Sequence, residues 1–491
     1  MGERIKKPIL KYVCLSDLHL GEEDSLLTNL YRKQYKTDPE NPSPVMIHFK
    51  NCLSQIITNS EGFPEKKPTL IILGDGLDLA LSYVNDAAMV FERFLETFFF
   101  EVPEPLFKEI IYIPGNHDHH IWETAREIQY AEFIKRHPET IEIPIPWHKS
   151  KAIPQKETDF IKSPLLESCI FRVMQRENSS FQIPIKILYP NFIHYDSQRN
   201  KFIIFHHGHF FEKLYYLMSW LKIIIFPEEI SEFPPKKINN IEAENFAWID
   251  FFWSTLGRSG EVGEKIEIIW EMLQSKKGKE KLIENFAKGL AKKIDIPNVP
   301  TDWLEEKVLK FIIESIASYI TEKLEKRVKD ADLSEDFYKL LKNYLRNAIF
   351  YQIKDELKID SKTIENSEII LIFGHTHKPL KKIEKIAPYK NWIKLYNTGG
   401  WVCDKPKFDP IYGSMIIFID EESDVAGLKL FSLGKNEKPY PVEIYSSEDK
   451  PSNLYQWLSK FKYDEEIWIN FNTVVQMAAQ IRAAHLKEKY G

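Results

Sequence analysis

Five short stretches of this chain concentrate residues able to hold a metal ion: Asp17-Leu18-His19, Gly74-Asp75-Gly76-Leu77-Asp78, Gly115-Asn116-His117-Asp118, His206-His207-Gly208-His209 and Gly374-His375-Thr376-His377. Carboxylate, amide oxygen and imidazole together suit borderline first-row divalent ions such as manganese, iron or zinc, rather than calcium or a thiolate site. A carboxylate such as Asp75 can also bridge two cations. Two metals about 3.5–4 Å apart clamp a phosphate, lower the pKa of a shared water to yield hydroxide near neutral pH, and stabilise charge during in-line displacement. Any one stretch alone has a plain rival: Asp17 or Asp75 as a helix N-cap after a strand, His375-x-His377 as surface imidazoles. His206, His119 and His120 read as ordinary core or surface histidines, and Asp118 as the cap of the helix that follows it.

The elements that must carry these residues repeat one pattern. Apolar, β-branched runs of strand length at 9–16, 68–73, 109–113, 201–205 and 369–373 each lead directly into one of the five stretches. Further strands are expected at 185–189, 192–195, 393–396, 414–420 and 428–431, with a turn at 196–200. Helices are expected at 45–58, 86–100 and 121–136, with a closing helix at 465–490. The loop at 22–44 is polar with several prolines, and the proline-punctuated segment up to about 180 carries no clear period. Alternating strands and helices favour a layered α/β sandwich with functional groups at the carboxyl ends of strands. From 211 to 367 strand signals vanish and helical patterns occur near 211–225, 241–256, 262–275, 278–292, 302–328 and 333–356. This segment reads as a helical insertion between two parts of one core, 1–210 and 368–491.

Asp-x-His, Gly-Asp-x-x-Asp, Gly-Asn-His-Asp, His-Gly and Gly-His-Thr-His, in that order, resemble the five signature blocks of the calcineurin-like metallophosphoesterase superfamily. The resemblance covers about residues 8–120, 185–210 and 368–432. It implies a four-layer α-β-β-α sandwich and a hydrolase of phosphoric esters that uses a metal-bridging hydroxide. It further implies that Asp17, His19, Asp75 and His377 hold one metal and Asp75, Asn116, His207 and His375 the other. His117 would protonate the leaving oxygen, oriented by Asp78. Manganese is the first expectation for both ions, with iron or zinc as alternatives. Asn397-Thr398-Gly399-Gly400-Trp401 also matches a turn found beneath such sites, although Trp401 reads equally well as core. The arrangement is similar to UDP-2,3-diacylglucosamine hydrolase-like proteins, which carry a helical lid between the last two blocks. Those proteins tend to have arginine at the position of His117 and aspartate at that of His209, and their insertion is shorter, so the substrate class stays open.

Composition limits the rest. The chain has 491 residues, 43% hydrophobic and 28% charged, the profile of an ordinary globular protein with a large core. A net charge of -6 argues against a surface devoted to nucleic acid. Nuclease or cyclic-nucleotide phosphodiesterase activity is nonetheless an alternative on the same core, with Lys236-Lys237, Lys276-Lys277 and Lys292-Lys293 as candidate basic contacts. A non-catalytic partner-binding scaffold is a third reading. The expected partner is a phosphoester, nucleotide or lipid-linked, and peripheral membrane contact stays open. The longest apolar cluster, 221–226, falls far short of the roughly 20 residues of a membrane span. Four scattered cysteines, Cys14, Cys52, Cys169 and Cys403, without a leader-like start, lead to an expectation of reduced thiols in the cytoplasm. The aromatic residues at the start of the insertion, Phe210-Phe211, Tyr215-Tyr216 and Trp220 onward to Trp270, suit either core packing or a lid that takes an apolar leaving group.

Overall fold

The computed structural model describes residues 6–31, 34–139, 148–216, 218–219, 222, 235–249, 333–403, 405–434, 442–446 and 451–490. Two sheets stack with helices on their outer faces. The first has seven strands in the order β12-β11-β10-β1-β2-β3-β4, where β1 is Leu10–Leu15, β2 Thr69–Leu73, β3 Glu109–Ile113, β4 Ile185–Ile187, β10 Gly413–Asp420, β11 Val425–Ser432 and β12 Glu443–Ser446. The second runs β5-β6-β7-β9-β8, with β5 Asn191–Asp196, β6 Lys201–His206, β7 Glu368–Phe373, β8 Leu380–Glu384 and β9 Ile393–Asn397. β1 to β4 pair in parallel, as do β6, β7 and β9, whereas β10 returns antiparallel beside β1.

The alternation of each strand builds the layers. Tyr12, Cys14, Ile71, Leu73, Ile111 and Ile113 of the first sheet face Ile203, Phe205, Ile370 and Ile372 of the second and form one apolar cluster between the sheets. Their neighbours Val13, Leu15, Leu70 and Ile72 point the other way, into a larger cluster with the helices. Helices α1 (Pro44–Ile57) and α2 (Val84–Phe99) and the helix Glu466–Tyr490 cover the first sheet through Phe49, Phe94, Phe98 and Phe471. Phe211 meets Phe337, Tyr344 and Phe373 on the outer side of the second sheet, and Phe337 also meets Phe373. The result is the expected α-β-β-α sandwich.

Several elements differ from the sequence reading. The helix α4 (Pro164–Arg176) occupies the stretch without a clear period; like α1 it begins Ser-Pro, with Ser163 accepting from Leu166 N and proline in the first turn, where its missing N–H costs nothing. It is tied to α2 by Arg176, which pairs with Glu92 at 2.7 Å. Strands β8 and β12 carry lysine or glutamate and lie at sheet edges, where no apolar run is required. A third helix, α3, is His119–Arg136. The helix expected near 241–256 is seen as Ile238–Ile249, and that near 333–356 as Glu335–Tyr344 and Phe350–Leu357 joined by a π turn. The expectations at 262–275, 278–292 and 302–328 lie outside the described residues. Phe210, Phe211, Tyr215 and Tyr216 are buried core residues rather than a surface. All four cysteines are buried and none is disulfide-bonded. Among the described residues no helix is long and apolar enough to cross a membrane.

The C-terminal helix bears on the functional residues through Trp401. That indole is fully buried between Phe49, Phe431 and Phe471, and its backbone N–H donates to Asp17 O at 3.0 Å. Phe471→Ala is therefore expected to cost about 3–5 kcal/mol, read as a lowered urea midpoint with unchanged slope.

Candidate metal centre

The strand ends converge because their turns bond to one another. Asp17 N donates to Gly74 O (3.0 Å), His19 N to Asp75 O (2.8 Å) and Gly374 N to His207 O (2.8 Å). The carboxylates join in: Asp75 Oδ1 accepts from His117 N at 2.8 Å and Asp17 Oδ1 from His375 N at 2.9 Å. Five predicted ligands sit in the left-handed region, Asp17 (φ 49), His19 (φ 46), Asp75 (φ 48), His375 (φ 70) and His377 (φ 56). That backbone is unfavourable for residues with a Cβ, so its cost must be offset by the surrounding bonds. Glycine is required at two approaches. A Cβ on Gly74, at φ +78, would overlap the His207 ring, and one on Gly374 would overlap the carboxylate of Asp17 and Ser16 Oγ.

All nine residues singled out from the sequence lie in this one place. Ligand atoms of Asp17, His19 and His377 fall within 4.8 Å of one another, as do those of Asp75, His207 and His375. His377 Nε2 is 3.5 Å from Asp17 Oδ1, His19 Nε2 is 3.8 Å from Asp75 Oδ2, and His207 Nε2 is 3.0 Å from Asp75 Oδ2. Asn116 Oδ1 completes the second group, 3.2 Å from His207 Nε2. Donors bound to one ion at about 2.0–2.2 Å stand roughly 3–3.5 Å apart at tetrahedral angles, so these separations match shared coordination. Buried His19 Nε2, 3.8 Å from Asp75 Oδ2, has no hydrogen-bond partner among the described residues, an orphaned donor or acceptor of the kind a cation satisfies. The donor set thus suits divalent metal ions.

Charge in the cluster is balanced internally. Burial opposes ionisation of Asp75, but His207, His117 and His19 hold its carboxyl well below the usual range. Burial likewise lowers His207, yet Asp75 and Asp17 overcome this and raise it to about 9. Asp78 Oδ2 accepts from two imidazoles, His117 Nδ1 at 3.0 Å and His19 Nδ1 at 2.9 Å. Burial works against the His117 cation, but Asp78 and Asp75 keep its pKa above the ordinary value.

Asp118 departs from expectation. It occupies the position before α3, but its side chain makes no cap bond; Oδ1 accepts from Gly115 N at 2.6 Å, and Oδ2 from Gly76 N at 2.8 Å and from the Tyr112 hydroxyl. The carboxylate ties the second and third turns together, and burial beside Asp75 pushes it up to about 6. The turn after β9 also supports the site from below: Asn397 Nδ2 donates to Gly374 O (3.1 Å) and Thr376 Oγ1 (2.7 Å). His206 accepts from Gly208 N at 2.8 Å and is held neutral by burial beside His207. Two carboxylates absent from the sequence reading reach the cluster, Glu22 at 3.2 Å from His19 Nδ1 and Glu212 at 3.5 Å from His375 Nε2. Each follows a ligand stretch by three to five positions, with no motif to distinguish it from a solvated acid.

Residues 10–223 match the family described as calcineurin-like phosphoesterase. That span contains Asp17, His19, Asp75, Asp78, Asn116, His117 and His207, while His375 and His377 lie beyond it and reach the cluster through β7. No curated protein matches the chain. The family match and the two acid–imidazole groups together support a metal-dependent hydrolase acting on phosphoesters.

Metal-free protein should show the proton linkage directly. His207 is raised from 6.5 to about 9, so its pairing with Asp75 stabilises the fold fully below pH 6.5 and is lost as pH rises through about 9. Thermal midpoints of chelator-stripped protein are expected to fall over that window. Added manganese should remove the fall, because the ion requires the neutral imidazole and binds more tightly as pH rises.

Proposed function

We propose that this chain is a dinuclear metal-dependent hydrolase of phosphoric esters, with Asp17, His19, Asp75 and His377 holding one cation and Asp75, Asn116, His207 and His375 the other. The observation that carries this reading is the group Asp75, His207 and His375 lying beside the group Asp17, His19 and His377, with His19 Nε2 3.8 Å from Asp75 Oδ2. Manganese suits the oxygen-rich donor set best, with iron or zinc as alternatives. When bound, the two ions would polarise a phosphoryl oxygen and lower the pKa of water to supply hydroxide.

The side chains divide the remaining work. Asp17, His19, Asp75 and His207 are almost wholly enclosed, whereas the side chains of His117 (13%), His375 (11%) and His377 (18%) keep some access to solvent. The ester would therefore approach from the side of those three rings. His117 is bound through Nδ1 to ionised Asp78, which leaves Nε2 to give its proton to the departing oxygen. Burial opposes the His117 cation, but Asp78 and Asp75 raise its pKa above the ordinary imidazole value, which favours the form that carries this proton. Asp78 fixes the tautomer and ring orientation in the same bond.

A non-catalytic scaffold is disfavoured by energy. Burying several carboxylates and imidazoles beside strained turns is costly, and a protein that merely binds a partner gains nothing from it. For a nuclease, Lys236 and Lys237 are exposed at the start of the helix Ile238–Ile249, but an isolated pair is as well explained by solvation. The likeness to UDP-2,3-diacylglucosamine hydrolases stays at the level of arrangement, since His117 and His209 replace the residues usual there. The substrate is accordingly proposed only as a phosphomonoester, phosphodiester or pyrophosphate.

Protein stripped with chelator should be inactive on bis(p-nitrophenyl) phosphate and p-nitrophenyl phosphate and should recover on adding manganese. No turnover on these or on a panel of nucleotide, sugar-nucleotide and lipid phosphoesters would sink the proposal. Asp75→Ala should lose both metal and activity. His117→Ala should retain two metals per chain by elemental analysis while kcat drops about 10²–10⁴-fold; loss of metal in that variant would contradict the proton-donor role.

A further inference from the structure

The helix Ile238–Ile249 places a carboxylate, Glu242, in the interior of the protein with no solvent exposure. Oε1 is 2.8 Å from His119 Nε2, and Oε2 accepts from the Tyr189 hydroxyl at 2.9 Å and from the Tyr215 hydroxyl. These partners come from three separate pieces of the core: the first turn of α3, the link between β4 and β5, and the turn after His207. The Tyr189 oxygen is also 3.2 Å from His209 Nε2. His209 is buried, and its ring centroid lies 5.5 Å from that of His207 and 6.5 Å from that of His375.

A count of protons determines the direction of this chain of bonds. The Tyr189 hydroxyl donates to Glu242 Oε2, so its one proton is spent there. The Tyr189 oxygen is then an acceptor toward His209, which must carry its proton on Nε2. Nδ1 is left as a lone pair, and it is buried without a hydrogen-bond partner among the described residues. Such an orphan needs a donor from outside the protein.

We propose that Glu242 is a positioning residue: acting through Tyr189, it holds His209 as the Nε2–H tautomer and so presents a buried Nδ1 acceptor beside His207 and His375, for a hydrogen-bond donor of the phosphoester substrate or its attacking water. The inserted segment thereby contributes to the chemistry through the ring of His209, which lies beside those of His207 and His375. The inference rests on the hydrolase reading for its catalytic consequence, but the tautomer itself does not.

Nitrogen NMR of histidine-labelled protein, zinc-loaded and metal-free, tests the tautomer, with the His209 signals identified by their absence in His209→Gln. The expected result is a single Nε2–H tautomer in the parent, and a mixture or reversal in Glu242→Gln and in Tyr189→Phe. Tyr189→Phe keeps the ring stacked on Trp122 (5.2 Å between centroids) and removes only the hydroxyl link, so it carries the test if the Glu242 variant does not fold. In the manganese enzyme, Glu242→Gln and His209→Gln should each lower kcat about 10–100-fold with two metals retained, and the double variant should be no worse than either alone. An unchanged tautomer in both link variants, or fully additive effects on kcat, would overturn the proposal. If the parent shows no metal-restored turnover, the hydrolase reading fails, while the NMR result still decides the role of Glu242.

Discussion

A carboxylate at position 75 has to remain ionised while almost wholly removed from water, and much of the structure follows from that requirement. Burial alone would protonate it. The imidazoles of His207, His117 and His19 reverse the balance, and His117 N–H adds a direct hydrogen bond to Oδ1. Those groups come from separate turns, at positions 19, 117 and 207, so they meet only if several strands end at one level. Parallel pairing of β1, β2 and β3, and of β6 with β7, satisfies that condition, because parallel neighbours present their carboxyl ends on the same side.

The approach must also be close. Gly74 and Gly374 let the His207 ring and the Asp17 carboxylate lie against bare backbone, and left-handed turns at Asp17, Asp75 and His375 aim their side chains across the gap. Strain of this kind persists only where neighbours hold it. Trp401, packed by α1 and the C-terminal helix, anchors Asp17 from one side, and the Asn397 amide steadies the Gly374 turn from another. Stability of the outer layers and geometry of the centre are therefore one property, not two.

The region between His207 and β7 has two parts among its described residues. Its ends, with Phe211, Phe337 and Tyr344, form the layer that covers the second sheet. Its helix Ile238–Ile249 instead places the Glu242 carboxyl group near the candidate centre, where its burial is offset by the three groups that converge on it. The sequence left the aromatic residues after His207 open between core packing and a lid, and Phe210, Phe211, Tyr215 and Tyr216 are buried core.

Composition and period alone determined the strands ending in Asp17, Asp75, Asn116, His207 and His375, since a fully buried parallel strand must be a continuous apolar run and a ligand turn must follow it. Edge strands β8 and β12 were not legible, because none of their residues is buried and lysine or glutamate interrupts any apolar run. Nor could Glu22, Glu212 and Glu242 be told from surface acids, as their meaning depends on what lies opposite. Asp118 shows the same limit: local sequence marks a helix cap, but Tyr112, Gly76 and Gly115 offer closer donors. Chemistry of a residue type is written in the chain. Which groups share one low-dielectric space, and hence which protons they hold, is decided only when distant turns are brought within a few ångströms.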